Sequence, residues 1–483
     1  MLFNSFTFAV FVPIVFFVYW FVFSKNLRLQ NFFLLVVSYV FYGWWDWRFL
    51  SLIFISSLSD FLIGIWLHKN SDEKKRKLLL WLSLFINLGL LGFFKYYNFF
   101  VDSFIEAAAK IGVHLHESTL NIILPVGISF YTFQTLSYTI DIYRRKLNPT
   151  NDIISFFAFV SFFPQLVAGP IERASQLLPQ FEKPRIFDSE KAKDGLRQIL
   201  WGLIKKVVVA DTLAIQVDQI FNVTSYSSTP GITLILGAVF FSFQVYCDFS
   251  GYSDIAIGTA RLFGFSLMRN FAFPFFSRNI AEFWQRWHIS LSTWFRDYVF
   301  IPLGGSRVSK WTQVRNIMVT FGISGLWHGA NWTYIFFGLL NGLYYLPYIL
   351  SKSKGKHSEI VAAHRFLPNL KELSQMIITF SLFAFSIIFF RASSIERSYN
   401  FIFNMFNNFS MNHAILLQWL QSESMILIFL LTGVEWLQRN KQHALEIETV
   451  PGFFRWSIYA ASFVAFIYFG QFESTQQFIY FQF

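Results

Sequence analysis

Long apolar runs separated by short basic segments dominate the hydropathy pattern of the chain. Residues 3–24 contain no charged side chain, and the runs 32–42 and 49–67 follow, the second interrupted only by Asp60. Runs of this kind predict helices that cross a membrane. Because no small-residue cleavage site follows the first run, we interpret it as a retained helix rather than a signal peptide.

Basic segments separate the runs at three places in the first third of the chain. Lysine and arginine cluster at 25–28, 74–77 and 144–146, and the positive-inside rule places all three segments in the cytoplasm. The N-terminus then lies outside. Further apolar runs bring the expected number of crossings to about eleven. These further runs are 78–94, 121–140, 232–246, 376–390, 414–431 and 454–469.

Four stretches depart from this regular pattern. The run 153–167 leads into a Gly-Pro sequence, where we expect the helix to break. The stretch 199–220 contains four charged side chains, too many for a helix that faces lipid, so we expect it to be partly wet or to lie along the interface. For 276–302 we predict a re-entrant or interfacial pair of helices. Residues 316–350 exceed the ~20 needed to cross, so they form either two short segments or one long tilted helix.

Composition agrees with a membrane protein. Hydrophobic residues make up 54% of the 483 positions and charged residues only 14%, and phenylalanine occurs 66 times, which is too apolar for a soluble protein of this length. We attribute the net charge of +11 to topology and anionic lipid, and expect no nucleic-acid partner. The predicted fold is an all-α, polytopic membrane protein, with residues 1–483 forming one membrane domain.

Two histidines in apolar surroundings are the first candidates for chemistry. His288 and His328 each follow a tryptophan, and an ionisable ring within membrane helices is costly, so it is a candidate functional site. A neutral imidazole can take the proton of a hydroxyl that attacks an acyl thioester. Neither histidine has a carboxylate or cysteine at metal-ligand spacing, and the chain has no Gly-x-Ser-x-Gly sequence. We therefore expect no metal site and no serine acyl-enzyme.

The sequence motifs around these histidines resemble the membrane-bound O-acyltransferase family. Their order and spacing are most similar to its bacterial branch, which contains the alginate O-acetyltransferase membrane subunit and the D-alanyl transferase of teichoic acids. The resemblance covers at least residues 124–345, the motif-bearing core. The motifs are VAGPI at 167–171, DFSGYSDIAIG at 248–258, FWQRWHISL at 283–291, Trp294 followed by RDY at 296–298 and PLGG at 302–305, and GLWHG at 325–329.

This resemblance implies a ring of helices around a thin centre, where funnels from the two membrane faces meet near a histidine. By it, His328 matches the family's catalytic histidine and His288 its second signature position. His328 also lies between Gly325 and Gly329, which would let backbone or substrate approach closely. For His288 several roles stay open. It can position substrate, orient the base, polarise the thioester carbonyl, or act as a structural donor packed near Ser292.

Charged and aromatic residues in the same motifs are candidates for substrate binding or structural support. For the charged residues we favour pairing with one another, which would fix the re-entrant helices, although Arg286 or Arg296 can instead bind the phosphates of coenzyme A or of a carrier's phosphopantetheine. Tryptophans at such positions more often pack than bind a ligand. The set is Asp248, Asp254, Trp284, Arg286, Trp287, Arg296, Asp297, Trp327 and Asn331.

These features predict an O-acyltransferase, in particular an O-acetyltransferase, of a bacterial inner membrane. A cytoplasmic thioester, acetyl-CoA or an acyl carrier protein, would be the donor, and we expect no tightly bound cofactor. The acceptor would be an exported or cell-surface polysaccharide, reached directly or through a periplasmic or membrane-anchored acyltransferase partner. Two alternatives are a transporter or flippase, which would also need broken helices and intramembrane charge, and a non-catalytic scaffold of an envelope complex.

Overall fold

The computed structural model describes residues 1–115, 120, 122–167, 169–350, 360–409, 413–472 and 478–479. Within these ranges the regular secondary structure is entirely helical, with no strand, as the apolar runs predict. The chain divides into two compact units, Met1–Gly195 with Ala256–Met268, and Leu196–Ile255 with Arg269–Phe483. The motif-bearing stretch 124–345 contributes to both units. Organisation as one membrane domain stays a prediction.

Nine described helices, the start of a tenth and the end of a later helix, residues 256–262, form the first unit. Polar caps begin two of the long ones: Asn26 accepts from the Leu29 amide, and Asp72 accepts from the Lys74 amide, which satisfies N–H groups that have no partner within the helix. The helices are α1 Phe6–Phe17, α2 Leu27–Asp46, α3 Leu50–Lys69, α4 Glu73–Leu91, α5 Tyr97–Lys110, α6 Ile128–Tyr143, α7 Ile153–Ser161, α8 Phe163–Leu166, α9 Ala174–Phe181 and α10 Ser189–Leu203.

A buried polar network joins three helices of the first unit. Asp60 on α3 is fully buried and accepts hydrogen bonds from Ser83 Oγ (2.5 Å) and Asn87 Nδ2 (2.7 Å) on α4. Thr139 of α6 donates to the same carboxyl group at 3.4 Å. The Asp60 carboxyl group, which interrupts the apolar run 49–67, therefore faces protein rather than lipid, because its oxygens accept hydrogen bonds from neighbouring helices.

The second unit contains the rest of α10 and the helices that carry the histidine motifs. A π-helical segment, Ile204–Ala210, joins α10 to the next helix. The helices are α11 Asp211–Phe221, α12 Gly231–Leu262, α13 Ile280–Arg286, α14 Ile289–Phe295, α15 Lys310–His328, α16 Trp332–Leu350, α17 Leu370–Arg391, α18 Ile395–Asn407, α19 His413–Leu420, α20 Glu423–Leu437 and α21 Gly452–Phe469. The end of α12, from Ala256, belongs to the first unit.

Six helical segments of the described chain are long and apolar enough to cross a membrane. Two shorter apolar stretches, Phe6–Val22 and Ile153–Leu166, accompany them. This is the architecture of a multi-pass membrane protein, whereas the expected eleven crossings and the ring around a central histidine stay predictions. The six segments are Leu27–Lys69, Glu73–Lys110, Gly231–Leu262, Trp332–Leu350, Leu370–Arg391 and Gly452–Phe469.

Two irregular stretches become pairs of helices, which is the prediction for 276–302 and one of the two alternatives for 316–350. Residues 276–302 contain the short helices α13 and α14, and 316–350 lie on α15 and α16, so the alternative of one long tilted helix is wrong. The prediction of a single helix over 414–431 is also wrong. It is divided between α19 and α20, because the Ser422 side chain accepts from the Met425 amide and starts a new helix.

The helix ends before the Gly-Pro sequence, as expected, because α8 stops at Leu166, and the structure has a further break at Phe162. The chain leaves α7 at Phe162 and starts the short helix α8, which has Pro164 in its first turn. Proline is favoured there because its missing N–H has no partner in the first turn anyway. The helix expected over 121–140 begins only at Ile128, and residue 121 lies outside the described residues.

The charges in 199–220 are mostly buried, so the expectation of a wet or interfacial helix is wrong for three of the four. Lys205, Lys206 and Asp211 are at most 3% exposed. Asp218 pairs with Arg391 at 2.8 Å and stays partly exposed. Burial is possible because oppositely charged side chains on α12 compensate the two lysines.

Candidate active site

His328 is the last residue of α15, at a tight connection to α16. The backbone is extended at Gly329, where an added Cβ would lie 2.2 Å from a ring carbon of Tyr334. A Cβ on Gly325 would lie 2.2 Å from the Tyr334 carbonyl oxygen and 3.2 Å from the Cα of Gly338. Both glycines of the motif thus allow the two helices to approach closely, and this packing holds the end of α15 in place.

Aromatic rings surround the imidazole of His328. The residue is 6% exposed. The ring centroids of Trp327, Phe390 and Phe337 lie 5.0, 5.3 and 6.3 Å from its own. The imidazole of His328 therefore lies in a mainly aromatic environment with little contact with water.

His288 precedes α14 in an unusual backbone conformation. Its φ of 45° and ψ of 55° lie in the left-handed region that residues other than glycine rarely adopt. The residue is 1% exposed, and its ring lies edge-on to Phe249 of α12 at a centroid distance of 4.6 Å. Strained backbone that the surrounding structure holds in place is common at functional sites.

The fold brings the two histidines together. Their ring centroids are 6.5 Å apart, although 40 residues separate them in the sequence. Trp327 contacts both rings, at 5.9 Å from His288 and 5.0 Å from His328. Two imidazoles at this distance are close enough for both to contact one bound substrate, so they form one candidate site.

Asn270 organises the turn at His288, and the sequence offered no signal for it. The side chain is fully buried. Its Oδ1 lies 3.1 Å from His288 Nδ1 and accepts from the Ser290 hydroxyl at 2.9 Å, and its Nδ2 donates to Ser253 Oγ at 3.1 Å. His288 therefore has Asn270 as a polar partner, whereas the Ser292 hydroxyl expected near it donates to a backbone carbonyl.

The two aspartates of the DFSGYSD motif pair with lysines of the π-helical segment Ile204–Ala210. Asp248 Oδ1 lies 2.8 Å from Lys206 Nζ, and Asp254 Oδ2 lies 2.6 Å from Lys205 Nζ. Lys206 also pairs with Asp211 at 2.7 Å. Both aspartates are thus charge-paired, but with lysines from outside the motifs rather than with the motif arginines. They support α12, the helix that carries Phe249 against His288.

The motif arginines differ in their surroundings. Arg286 shares the buried carboxylate of Glu282 with Arg278, at 2.9 and 3.1 Å, so it stabilises the region around α13. Arg296 pairs with the neighbouring Asp297 at 2.7 Å, and 57% of its side chain is exposed. Of these two arginines, Arg296 is therefore the one that a ligand can reach.

The motif tryptophans mainly pack against other rings. Trp287 is 4% exposed and stacks on Phe283 at 5.5 Å. Trp284 contacts Phe321 edge-on at 5.4 Å and contributes to the wall of a cavity. Packing therefore explains Trp287, and Trp284 combines packing with a place beside a possible ligand.

Asn331 begins α16 as a helix cap. Its Oδ1 accepts from the Thr333 amide at 3.0 Å, and its Nδ2 donates to the Ser393 carbonyl at 3.1 Å. A cap of this type satisfies an N–H group that would otherwise lack a partner. These contacts hold the start of α16, the helix that follows His328, so Asn331 has a structural role.

A cavity of about 670 Å³ lies beside the histidine motifs. Its wall includes Ile289, next to His288, and Ser324, which lies about one helical turn before His328. Arg296 contributes a cationic group. The volume is in the range of small-molecule sites, and the mixed wall suits a ligand with polar and apolar parts. The other polar lining residues are Gln285, Ser292, Thr293, Ser306, Gln313, Thr320, Tyr345 and Tyr348.

Comparisons with known proteins identify the family of the chain. The model of the membrane-bound O-acyltransferase family (MBOAT) matches residues 38–395. The chain is 41% identical over 382 residues to the probable alginate O-acetylase AlgI of Pseudomonas aeruginosa, covering 79% of this chain and 70% of that protein. It is 35% identical over 428 residues to the peptidoglycan O-acetyltransferase of Helicobacter pylori, covering 82% and 78%.

A more distant relative has another acyl group in its name. The chain is 29% identical over 286 residues to the teichoic acid D-alanyltransferase of Bacillus subtilis, covering 57% of this chain and 70% of that protein. The family resemblance of the motifs is confirmed by the family model. The chain therefore belongs to the membrane-bound O-acyltransferase family and is a membrane O-acyltransferase.

Proposed function

We propose that the protein is an O-acetyltransferase of a bacterial inner membrane, which moves an acetyl group from a cytoplasmic thioester to hydroxyls of an exported or cell-surface polysaccharide. The observation that carries the proposal is the pair of buried histidines, whose rings are 6.5 Å apart. Residues near them in the chain, Ile289 and Ser324, line a cavity of about 670 Å³, although neither histidine does. The names of the alginate and peptidoglycan relatives support acetyl as the acyl group and a polysaccharide as the acceptor.

The cavity is the place where we expect the donor. Two basic residues, Arg307 just before α15 and Lys310 at its start, favour a cytoplasmic position for this end by the positive-inside rule. Arg296 on the cavity wall would bind phosphates of coenzyme A, since guanidinium groups suit phosphate oxygens. The polar and aromatic wall would hold the pantetheine arm. The thioester would then lie at the Ser324 end, about one turn from His328.

In the proposed reaction His328 acts as general base. The acceptor hydroxyl oxygen attacks the thioester carbonyl carbon while its proton moves to the imidazole of His328. The tetrahedral intermediate then collapses, the carbon–sulfur bond breaks, and the leaving thiolate takes the proton from the imidazolium. The products are an acetyl ester and a free thiol, so no other reactant and no tightly bound cofactor is needed.

We propose three kinds of partner. The lipid bilayer surrounds the spans. An acyl carrier protein can replace free coenzyme A as the cytoplasmic donor, because both present the acyl group on a phosphopantetheine thiol. The acetyl group reaches the polysaccharide directly or through a periplasmic or membrane-anchored acyltransferase partner.

The test uses the full chain reconstituted in proteoliposomes with acetyl-CoA labelled in the acetyl group. We expect label to appear in a hydroxyl-rich glycan, and free coenzyme A to appear in equal amount. Vesicles that carry His364→Ala protein, altered at an exposed loop histidine, should behave like wild type. Movement of intact acetyl-CoA or glycan across the vesicle membrane, without release of coenzyme A, would instead identify a transporter.

Replacing Arg296 by alanine should raise KM for acetyl-CoA about tenfold with little change in kcat, because a charge-assisted hydrogen bond to a phosphate contributes about 1.5–3 kcal/mol. Initial rates at varied acetyl-CoA give both constants. Arg145→Ala, at an arginine in another basic segment whose side chain is 66% exposed, is the control and should leave KM unchanged. An unchanged KM in Arg296→Ala would remove this residue from the donor site.

A further inference from the structure

The amide of Asn270 can face only one way. Its Oδ1 accepts from the Ser290 backbone N–H at 3.3 Å and from the Ser290 hydroxyl at 2.9 Å. A backbone N–H only donates, so the atom that meets it must be the amide oxygen. The Nδ2 at the other end donates to Ser253 Oγ at 3.1 Å. These contacts remove the usual ambiguity between the nitrogen and oxygen of an asparagine side chain.

The same oxygen faces His288. Nδ1 of the imidazole lies 3.1 Å from Asn270 Oδ1, and an amide oxygen cannot donate, so Nδ1 must carry the proton. A neutral imidazole has one protonated nitrogen, and the other nitrogen carries the lone pair. We propose that Asn270 is a positioning residue, which fixes His288 in the tautomer with the proton on Nδ1 and the lone pair on Nε2.

Backbone contacts hold this arrangement in place. The Ile289 amide donates to the Asn270 carbonyl at 2.9 Å, so Asn270 binds the turn at His288 through both its side chain and its main chain. Ser253 belongs to α12, and the turn belongs to the motif at 283–291. One fully buried asparagine therefore joins two motifs that are far apart in sequence, and it holds the left-handed backbone of His288.

The tautomer excludes one of the roles left open for His288. Polarising the thioester carbonyl would require an N–H donor on Nε2, which this tautomer lacks. An Nε2 lone pair instead accepts a hydrogen bond from an O–H or N–H of a bound substrate. His288 thereby positions a substrate for His328. The donating group is either a hydroxyl of the glycan or an amide of the pantetheine arm, which share this chemistry.

Nitrogen-15 NMR of the full protein labelled at histidine tests the tautomer directly. The His288 signals are assigned by comparison with His288→Ala protein. We expect a protonated Nδ1 and an unprotonated Nε2 for His288. In Asn270→Ala protein the ring should lose this fixed tautomer and show both forms. Protonation of Nε2 in the wild-type protein, or an unchanged spectrum in Asn270→Ala, would overturn the proposal.

A double-mutant cycle tests the catalytic consequence, which rests on the proposed function. Asn270→Ala should lower kcat/KM about 10- to 100-fold, by analogy with the loss found when the partner that orients a metal-bound histidine is removed. Asn270→Asp, which keeps the acceptor oxygen, should recover most of this loss. In a His288→Ala background, Asn270→Ala should cause no further loss, because the residue acts through His288.

Other results separate the possibilities. If the two substitutions lower the rate by independent factors that multiply, Asn270 is structural only and the positioning role is wrong. Asn31→Ala, at a fully buried asparagine of the first unit, is the control. It should lower thermal stability, and any loss of rate that it causes should multiply with the loss caused by His288→Ala.

The KM values identify the group that Nε2 binds. A rise in KM for the glycan identifies a hydroxyl, and a rise in KM for acetyl-CoA identifies the amide. If the wild type transfers no acetyl group, the proposed function fails, whereas the NMR result still decides the tautomer.

Discussion

Replacing His328 by alanine should lower kcat for acetyl transfer by about 10²- to 10⁴-fold, the usual contribution of a general base. The ring is buried among aromatic side chains and its partner histidine lies 6.5 Å away, so water cannot readily take its place as base. The measurement is release of coenzyme A and of labelled ester by reconstituted protein. The affinity for coenzyme A, measured by calorimetry, should stay within a few-fold of wild type.

Two matched variants make this result interpretable. His328→Gln keeps a polar side chain of similar length but provides no base, so it should be as inactive as His328→Ala while disturbing the packing against Phe390 less. His364→Ala removes a histidine from an exposed loop and should retain full activity. Turnover by His328→Ala equal to wild type, with ester still formed on the glycan, would remove His328 from the chemical step.

The elements that hydropathy predicts well are those whose signal is local. The pairs α13 with α14 and α15 with α16 follow from polar interruptions and glycines within a few residues. The division between α19 and α20 also has a local signal, because the polar residues Ser422 and Glu423 interrupt the apolar run where α20 begins. The length of the run suggested one span. Sequence length alone is a weak guide where a helix cap intervenes.

Residues of the site that act through distant partners could not be predicted. Asn270 stands in an irregular segment without any motif of its own, and its importance comes from Ser253 and Ser290, which lie 17 and 20 residues away. Phe249 contacts His288 across 39 residues. Hydropathy shows which residues avoid water, but it does not show which side chains meet, because that depends on how helices pack.

The charges of 199–220 show the same limit most clearly. Lys205 and Lys206 look incompatible with burial until Asp254 and Asp248 are placed beside them, more than 40 residues later in the chain. The sequence shows that burying each charge would be unfavourable, but it does not show which oppositely charged side chain pairs with it. The expectation of a wet or interfacial helix followed from counting charges alone, and tertiary pairing overturns it for three of the four.

Replacing Lys206 by methionine should therefore destabilise the protein by about 3–5 kcal/mol, the cost of removing one partner from a buried ion pair. Its Nζ lies 2.7 Å from Asp211 and 2.8 Å from Asp248, and all three side chains are at most 5% exposed. Without the lysine, two carboxylates share an apolar site with no cation between them. The free energy of unfolding, measured by titrating mixed micelles with SDS, reports the loss.

The triple variant Lys206→Met, Asp211→Asn, Asp248→Asn separates charge from packing. It removes the uncompensated carboxylates, and the amide oxygen introduced by Asp248→Asn can still accept from the Ile479 amide, which donates to Asp248 at 2.7 Å in the wild type. We expect the triple variant to recover most of the lost stability, since neutral groups are far less costly to bury than unpaired charges. Lys193→Met, which breaks an exposed pair with Glu190, should change stability by less than about 0.5 kcal/mol. If Lys206→Met is as mild as Lys193→Met, the cluster is not a stabilising element of the second unit. The two lysines would then have to be explained by contact with substrate or lipid headgroups.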